Sequence, residues 1–322
     1  MFGVSYGTRL ALDVMRYFPQ GVASVVLDST VPPDVDLLAN VPLSMTASFA
    51  RIFEHCAAQP ICDEAYPDLG TTFSAMIESL TTSPVSLQLS DNSTYLLDGR
   101  RAVELFGTLS YSAENIVFIP ELIRQLSNRQ LGTITEVVEL LNGDPQGVPG
   151  LAIGLYLTIV CSEYAAFSSV AQVEAAIAEV EPALRAGFSA AESFAFCDAW
   201  NVPNAAATER EPIDSAIPTL VLAGSYDPVT PPAWGERVLQ GLSNGIFEQV
   251  EAAGHAVFAS PCGLRTIREF WRGPNDYSGG ACSTIDLDLV FQVLPNQQEP
   301  ATASIQFASL QIGRHHLRPL SR

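Results

Sequence analysis

Gly3-Val4-Ser5-Tyr6-Gly7 lies almost at the start of the chain, after Met1 and Phe2, and a helix-forming stretch follows from Thr8. This G-x-S-x-G pattern is typical of a serine on a sharp turn between a strand and a helix. Such a serine has strained backbone geometry, and side chains at the two glycine positions would collide with neighbouring elements. Because the pattern also occurs by chance, Ser5 becomes a candidate nucleophile only if partner residues lie elsewhere in the chain.

Two short runs of β-branched and aliphatic residues predict strands buried on both faces, as in a parallel sheet. They cover residues 22–27 and 217–223, and a third candidate strand covers residues 245–250. Helical patterns occur beside them, at residues 8–18, 232–242 and 262–271. Strands that alternate with helices predict an α/β layer with right-handed crossovers.

Between residues 32 and 212 the sequence changes to long amphipathic segments, which predict a mainly helical insertion. The predicted helices cover residues 98–109, 115–126, 132–141 and 170–184, with a buried apolar helix at 148–161 and a hairpin around Asp91 and Asn92. The predicted domains are a core of residues 1–31 and 213–285, a helical cap of residues 32–212, and a tail of residues 286–322. The composition of the tail suggests loose attachment.

A serine nucleophile needs a base, and the chain has four histidines. His55 lies in a helical segment, and His315 and His316 lie among arginines in the polar tail, so structural or surface roles explain these three. His255 follows the candidate strand at residues 245–250, where a loop at the carboxyl edge of the sheet begins. Most single loop histidines are structural, but His255 occupies the position that the serine requires.

Asp227 follows the strand at residues 217–223 and is the candidate acid. A buried carboxylate there would hold the imidazole of His255 in one tautomer and stabilise the imidazolium. Taken alone, Asp227 could equally be a loop residue that caps the helix after Pro231. Together the candidates run Ser, Asp, His along the chain, each at a predicted strand end, which is the order of the α/β-hydrolases rather than of chymotrypsin or subtilisin.

The composition argues against several classes of partner. The chain has 35 acidic and 16 basic residues, a formal net charge of -19, which repels nucleic acid and anionic lipid alike. Strong acidity can also serve solubility alone. The longest apolar stretch is too short for a membrane span and is broken by proline and glycine. No cysteine spacing is typical of a zinc or redox site, so no metal or other cofactor is predicted.

The six cysteines fall into neighbours along the chain: Cys56 with Cys62, Cys161 with Cys197, and Cys262 with Cys282. An even count without metal-site spacing favours disulfides between these neighbours and an oxidising compartment. Six buried free thiols are the alternative. The pairing predicts a secreted or periplasmic protein, with a signal peptide upstream of Met1.

Over most of residues 1–285 the chain resembles the tripeptidyl aminopeptidase and proline iminopeptidase branch of the α/β-hydrolases. The stretches that carry the resemblance are Gly3-Val4-Ser5-Tyr6-Gly7-Thr8-Arg9, Pro218-Thr219-Leu220-Val221-Leu222-Ala223-Gly224, Asp227-Pro228-Val229-Thr230-Pro231, Gly254-His255 and Pro261-Cys262. The segment from Cys56 to Cys62 with Tyr66-Pro67, and Cys197 with Trp200, are also similar. These motifs are specific to the fold and less specific to the substrate.

The resemblance implies an α/β-hydrolase fold with a helical cap, and a serine hydrolase that removes residues from peptide N-termini through an acyl-enzyme. A free ammonium group needs a carboxylate partner when it is desolvated, and Glu163 is the candidate in the cap. A solvated helix position is the simpler interpretation of Glu163. A carboxylesterase with the same triad is one alternative function, and a non-catalytic fragment is another. The expected partner is a peptide or a small ester.

One feature departs from the family pattern. Members of this fold carry several strands and a His-Gly oxyanion loop before the serine motif, whereas the given sequence reaches this motif directly after Met1 and Phe2. The backbone N–H of Tyr6 supplies one oxyanion donor, and loss of the second typically costs about a hundred- to a thousandfold in rate. The sequence therefore predicts an N-terminally truncated hydrolase that is inactive and prone to aggregate when expressed alone.

Overall fold

The computed structural model describes residues 1–142, 152–282 and 289–293. The described strands are β1 (Phe2–Val4), β2 (Val25–Asp28), β3 (Val85–Gln88), β4 (Thr94–Leu97), β5 (Thr219–Gly224) and β6 (Gly245–Val250). A four-stranded parallel sheet has the order β1-β2-β5-β6, and β3 and β4 form a separate antiparallel hairpin. The predicted parallel sheet and hairpin are both confirmed.

The helices fall into two groups. The sheet is flanked by α1 (Tyr6–Tyr17), and further along the chain by α12 (Pro232–Leu239) and α13 (Pro261–Arg272). Between β2 and β5 the chain forms α2 (Leu37–Ala58), α3 (Pro60–Ala65), α4 (Leu69–Thr82), α5 (Gly99–Leu109), α6 (Ala113–Ile116), α7 (Ile119–Ser127), α8 (Gly132–Asn142), α9 (Ile153–Ile159), α10 (Val170–Glu179) and α11 (Ala190–Trp200). A π-helical turn, Val160–Tyr164, follows α9.

Strands β2 and β5 are buried along their whole length, as predicted. Successive side chains of a strand point to opposite faces, so each strand contributes to two apolar layers. Val25, Leu27 and Val221 pack with α1 and α12 on one face. Val26, Leu220 and Leu222 pack on the other face, against residues of the segment from Val257 through α13. Strand β6 is only partly buried, because it lies at an edge of the described sheet.

A further apolar cluster comes mostly from residues 32–212, the predicted cap, and also includes Tyr226 from the loop after β5. Its largest fully buried side chains include Phe49 of α2, Phe73 of α4 and Phe106 of α5, whose rings meet edge to face with centroids 5.2 Å apart. Side chains of α7 and α8 complete the same apolar cluster. Burial of this kind stabilises by about 25 cal/mol per Å² of apolar surface. Helices α2 to α8 therefore share one buried apolar cluster.

The apolar helix predicted as buried is exposed at residues 152–156, partly buried at residues 157–160 and buried at Cys161. In α9, Ile153, Leu155 and Tyr156 are 49%, 61% and 51% exposed. Its close approach to α11 runs through Gly154 and the ring of Trp200. A continuous apolar run does not indicate which side meets a neighbour, and α9 has contacts on one side. Residues 148–151 of the prediction lie outside the described residues.

Residues 289–293 differ from the loosely attached tail that their composition predicts. Leu289 and Phe291 are 4% and 5% exposed and join the apolar cluster of the cap, whereas Val290 between them is 62% exposed. The Gln59 side chain donates to the Leu289 carbonyl over 2.7 Å. Alternating apolar side chains and backbone hydrogen bonds hold this segment on the cap. The rest of the predicted tail lies outside the described residues.

The structure contains the three predicted disulfides, Cys56–Cys62, Cys161–Cys197 and Cys262–Cys282. They join α2 to α3, the π-helical turn to α11, and α13 to the segment that follows it. Three disulfides in one chain suggest an extracellular location, because cytosolic thiols are kept reduced.

Among the described residues no single helix is both long and apolar enough to span a bilayer. By length and composition alone, the pair Ile153–Phe167 and Val170–Glu179 meets the requirement together, with a bend of 86° between its halves. The described part of the chain also holds no group of three or more His, Cys, Asp or Glu side chains arranged to bind a metal ion.

Candidate active site

The candidate residues follow the carboxyl ends of the strands. Ser5 follows β1, Asp227 lies in the loop after β5, and His255 lies in the loop after β6. In register, Val4 of β1 pairs with Asp28 of β2, and Asp28 pairs with Leu222 of β5. Because the strands are parallel, their carboxyl ends share one edge, and loops at that edge form ligand sites in α/β folds.

Ser5 forms the turn from β1 into α1. Its backbone has φ 55° and ψ -125°, a conformation that non-glycine residues rarely adopt and that stores about 1–3 kcal/mol of strain. Its N–H donates to the Asp28 carbonyl over 2.9 Å. The buried Thr8 hydroxyl donates to the Ser5 carbonyl over 2.6 Å. The strained turn predicted from the motif is therefore present, fixed from both sides.

The two glycines of the motif differ in what surrounds them. A Cβ on Gly3 would lie 2.4 Å from the Gly7 carbonyl oxygen, so the predicted collision is confirmed there. A Cβ on Gly7 would meet no described atom within 4 Å, so the prediction is wrong at that position. The reason is geometric: the first turn of α1 crosses directly over Gly3, whereas Gly7 faces away from the elements around the turn.

Asp227 and His255 form a buried pair. His255 Nδ1 lies 2.9 Å from Asp227 Oδ2, and the Asp227 side chain is fully buried. The other carboxylate oxygen accepts the N–H groups of Val229 and Thr230 at 2.9 and 2.8 Å. The Thr230 hydroxyl donates to Asp227 Oδ2 over 2.6 Å and lies 3.2 Å from His255 Nδ1. Asp227 thus both organises its own loop and orients the imidazole.

Burial and charge act in opposite directions on this pair. Burial raises the pKa of Asp227, but the His255 charge and the hydrogen bonds it accepts outweigh burial and leave that pKa below its ordinary value. Burial lowers the pKa of His255, but Asp227, with a smaller contribution from the charge of Asp28, leaves it above its ordinary value. The arrangement stabilises an imidazolium, which is the state that a general base reaches during proton abstraction.

The loop before His255 requires glycine. A Cβ on Gly254 would lie 2.5 Å from the Tyr111 carbonyl oxygen, and a Cβ on Gly224 would lie 2.0 Å from the Gly254 carbonyl oxygen. The Tyr111 carbonyl accepts the His255 N–H over 2.9 Å, and the Tyr111 ring lies 5.0 Å from the imidazole. Tyr111 comes from the cap between α5 and α6, and no sequence signal connects it with His255.

Ser5 and His255 are linked through Asp28 rather than by a direct bond. Asp28 accepts the Ser5 N–H on its carbonyl, and its carboxylate accepts N–H groups from the residues just after His255. No hydrogen bond joins the Ser5 hydroxyl to His255 in the part of the chain that the structure describes. The predicted contact of Ser5 with the second imidazole nitrogen therefore stays a prediction.

Glu163 lies against the serine turn. The Tyr6 hydroxyl donates to Glu163 Oε1 over 2.7 Å. Arg9 Nε lies 3.0 Å from Glu163 Oε2, as an ion pair without hydrogen-bond alignment. The Glu163 side chain is 15% exposed, so it is not a solvated helix residue. Burial raises its pKa, against the opposing effects of Tyr6 and Arg9. The π-helical turn and the Cys161–Cys197 disulfide hold it over α1.

The remaining histidines have other surroundings. The His55 ring contacts the Tyr226 hydroxyl and the Gln59 side chain, which agrees with a structural role. Tyr226 precedes Asp227, and its carbonyl accepts the Ser48 hydroxyl of α2 over 2.7 Å. His315 and His316 lie outside the described residues.

Residues 182–282 match the model of a family described as TAP-like protein, Abhydrolase_4, and this range includes Asp227 and His255. No curated protein matches the chain. A solved structure titled "Est816 as an N-Acyl homoserine lactone degrading enzyme" is 16% identical, with a TM-score of 0.30 and 84% of this chain covered. The chain spans 65% of the length of that structure's chain.

Proposed function

We propose that this enzyme of the α/β-hydrolase superfamily is a secreted or periplasmic serine peptidase that removes residues from peptide N-termini. The observation that carries the proposal is the buried Asp227–His255 pair at the sheet edge where Ser5 forms its strained turn. A nucleophile, a base and an orienting acid in this relation are the parts of an acyl-transfer site.

In the proposed acylation step the Ser5 hydroxyl oxygen attacks the substrate carbonyl carbon while His255 Nε2 accepts the hydroxyl proton. Asp227 holds the proton on Nδ1 and stabilises the imidazolium. The tetrahedral intermediate collapses when the imidazolium protonates the leaving amine, which departs and leaves an ester on Ser5. Water then attacks the ester carbonyl carbon while His255 removes a proton from it. The second intermediate collapses as the imidazolium returns that proton to the Ser5 oxygen, which releases the acid and restores Ser5 and neutral His255.

The oxyanion of each intermediate would accept the N–H of Tyr6. Tyr6 is the first residue of α1, where N–H groups have no partner within the helix, and the helix dipole favours negative charge. The strained conformation of Ser5 aims this N–H and the serine hydroxyl from the same turn. Preorganised donors of this kind are among the largest contributions to catalysis.

Glu163 is the proposed receptor for the substrate's N-terminal ammonium. A carboxylate has about four acceptor positions, and Tyr6 and Arg9 use only part of this capacity. An ammonium bound there would offset the burial that raises the Glu163 pKa. Its contact with Tyr6, the residue next to Ser5, supports recognition of a chain end a short distance from the scissile bond.

The first test uses the chain as it stands, with a fluorophosphonate probe, aminoacyl and tripeptidyl anilides, and simple esters. The proposed function predicts labelling and anilide hydrolysis, both lost in Ser5→Ala and retained in Ser243→Ala, which alters an exposed serine. The inactive chain expected from the sequence predicts neither. Labelling unchanged by Ser5→Ala would overturn the nucleophile. Hydrolysis of esters alone would indicate a carboxylesterase, and no reaction from a folded chain would indicate the non-catalytic alternative.

Glu163→Gln tests the ammonium site. The variant keeps an oxygen for the Tyr6 hydroxyl but loses the charge, so kcat/KM for free N-termini should fall by about 10-fold or more, mainly through KM. The matched control is the same peptide with an acetylated N-terminus, for which the wild type and the variant should differ little. Equal losses on both substrates would show that Glu163 acts through Tyr6 and not on the ammonium.

A further inference from the structure

Asp28 is a fully buried carboxylate that the steps above do not use. It is the last residue of β2, the strand beside β1, and it has 0% exposure. Buried carboxylates are rare unless hydrogen bonds or charges compensate for the loss of water. The groups that compensate for the burial of the Asp28 carboxylate therefore show which parts of the site it contacts.

Asp28 contacts the serine turn through its main chain and the His255 loop through its side chain. Its carbonyl accepts the N–H of Ser5 over 2.9 Å. Its carboxylate accepts the N–H of Val257 at 2.9 Å on one oxygen and the N–H of Phe258 at 2.7 Å on the other. One residue thus contacts both the turn that carries the serine and the loop that carries the histidine.

The His255 loop depends on acceptors outside itself. The N–H of His255 donates to the Tyr111 carbonyl, and the N–H of Ala256 donates to the Ser29 hydroxyl over 2.8 Å. With the two N–H groups that Asp28 accepts, four consecutive backbone donors point to partners elsewhere in the fold. Ala256 has φ 64°, a conformation that a residue with a Cβ adopts only when its surroundings enforce it.

We propose that Asp28 is a positioning residue, which fixes the His255 loop relative to Ser5 and places a second negative charge near the imidazole. The inference rests on the proposed function, since it assigns His255 as the base. Geometry explains why position matters: an error of about 1 Å between reacting groups can cost on the order of 100-fold in rate. Asp28 acts through the backbone of the two loops and does not touch the reacting atoms.

Electrostatics supports the same role. Burial raises the pKa of Asp28 to about 6, and the two N–H groups, the charge of His255 and Ser29 limit the rise. The charged group that faces Asp28 from another element is His255, and the charged groups that face His255 are Asp227 and Asp28. Above its pKa, Asp28 is ionised, holds both N–H groups and favours the imidazolium. As pH falls through about 6, protonation of Asp28 removes this charge and weakens the hydrogen bonds from the Val257 and Phe258 N–H groups that fix the His255 loop.

Two variants separate the charge from the hydrogen bonds. Asp28→Asn removes the charge and presents an NH₂ group to one backbone N–H. Ser29→Ala removes the acceptor of the Ala256 N–H and the hydroxyl that donates to Asp28 Oδ1 over 3.3 Å, but it keeps the charge of Asp28. Glu121→Gln is the control, because Glu121 is also a buried carboxylate, but it lies in the cap with Arg124, Gln125 and Tyr66.

Asp28→Asn should lower kcat by about 10-fold or more with KM within about twofold, and lower the His255 pKa by roughly half a unit or more. The imidazole resonance is followed by NMR against pH and assigned with His255→Gln. Ser29→Ala should lower kcat by about 3- to 10-fold without moving that pKa. Glu121→Gln should leave both unchanged.

The outcomes distinguish the two proposals. A wild-type chain that is not labelled at Ser5 contradicts the proposed function, whereas the His255 titration still tests Asp28. If the wild type is labelled but Asp28→Asn keeps its kcat and its His255 pKa, the positioning role is overturned. If Asp28→Asn does not fold, Ser29→Ala decides: unchanged kcat there overturns the role, and a loss of kcat with an unmoved pKa supports it.

Discussion

Two opposing effects act on the pKa of His255: burial favours the neutral imidazole, and the carboxylates of Asp227 and Asp28 favour the charged one. The carboxylates prevail, so the pKa of His255 is raised and that of Asp227 is lowered. A raised histidine pKa adds stability that is present below the unfolded value of about 6.5 and is lost as pH rises through the folded pKa. A lowered aspartate pKa adds stability that is present above about 3.9 and is lost as pH falls through the folded pKa. The pair therefore stabilises the fold most between about pH 3.9 and about pH 6.5, the pKa values of aspartate and histidine in the unfolded chain.

The same shift sets the pH dependence of the reaction. A general base works as neutral imidazole, so kcat/KM should rise with pH through a pKa above the ordinary histidine value of about 6.5. Asp227→Asn should move this limb to lower pH, because it removes the carboxylate that raises the pKa, and should lower kcat by about 10⁴-fold. Profiles of kcat/KM from pH 5 to 9 measure both effects. An acid limb below the ordinary value in the wild type would contradict the assignment of Asp227.

At the scale of elements, the turn from β1 to α1 shows which glycine the packing requires. Gly3→Ala would place a Cβ 2.4 Å from a backbone oxygen of α1, so the helix must shift. Overpacking of this kind costs about 1–3 kcal/mol. Gly7→Ala meets open space within α1, where alanine is favoured over glycine by up to about 1 kcal/mol.

Urea unfolding of the two variants tests this difference. We expect Gly3→Ala to lower the free energy of unfolding and Gly7→Ala to leave it unchanged or raise it. Each variant serves as the control for the other, since both add one methyl group within the same motif. Equal destabilisation would mean that Gly7 is closely packed, contrary to the structure.

At the scale of the whole molecule, the segment at residues 289–293 attaches the chain beyond α13 to the cap helices. Phe291 is 5% exposed and its ring meets that of His55 edge to face, with centroids 5.5 Å apart. Phe291→Ala should therefore lower the free energy of unfolding by about 3–5 kcal/mol.

Val290→Ala is the matched control for Phe291→Ala. Val290 is adjacent and 62% exposed, and surface substitutions usually change stability by less than about 0.5 kcal/mol. Urea unfolding followed by tryptophan fluorescence measures both variants. A Phe291→Ala change as small as that of Val290→Ala would show that the segment is attached as loosely as its composition predicts.

The sequence alone predicted the features that depend on neighbours along the chain or on local backbone chemistry. Short runs of apolar, often β-branched residues predicted β2 and β5, because a strand buried on both faces must be apolar throughout. Glycine spacing predicted the strained turn at Ser5, and proximity along the chain predicted the three disulfides. The candidates Asp227 and His255 followed from their places after strands, since parallel strands end at one edge.

Tertiary structure decided what depends on residues far apart in the chain. The exposed face of α9, the open space at Gly7 and the burial of Phe291 are set by which elements pack nearby, and composition carries no record of that. The contacts of Tyr111 and Asp28 with the His255 loop are likewise invisible to local patterns. Folding brings these groups within hydrogen-bonding distance because burial requires every backbone donor to find an acceptor, wherever in the chain that acceptor lies.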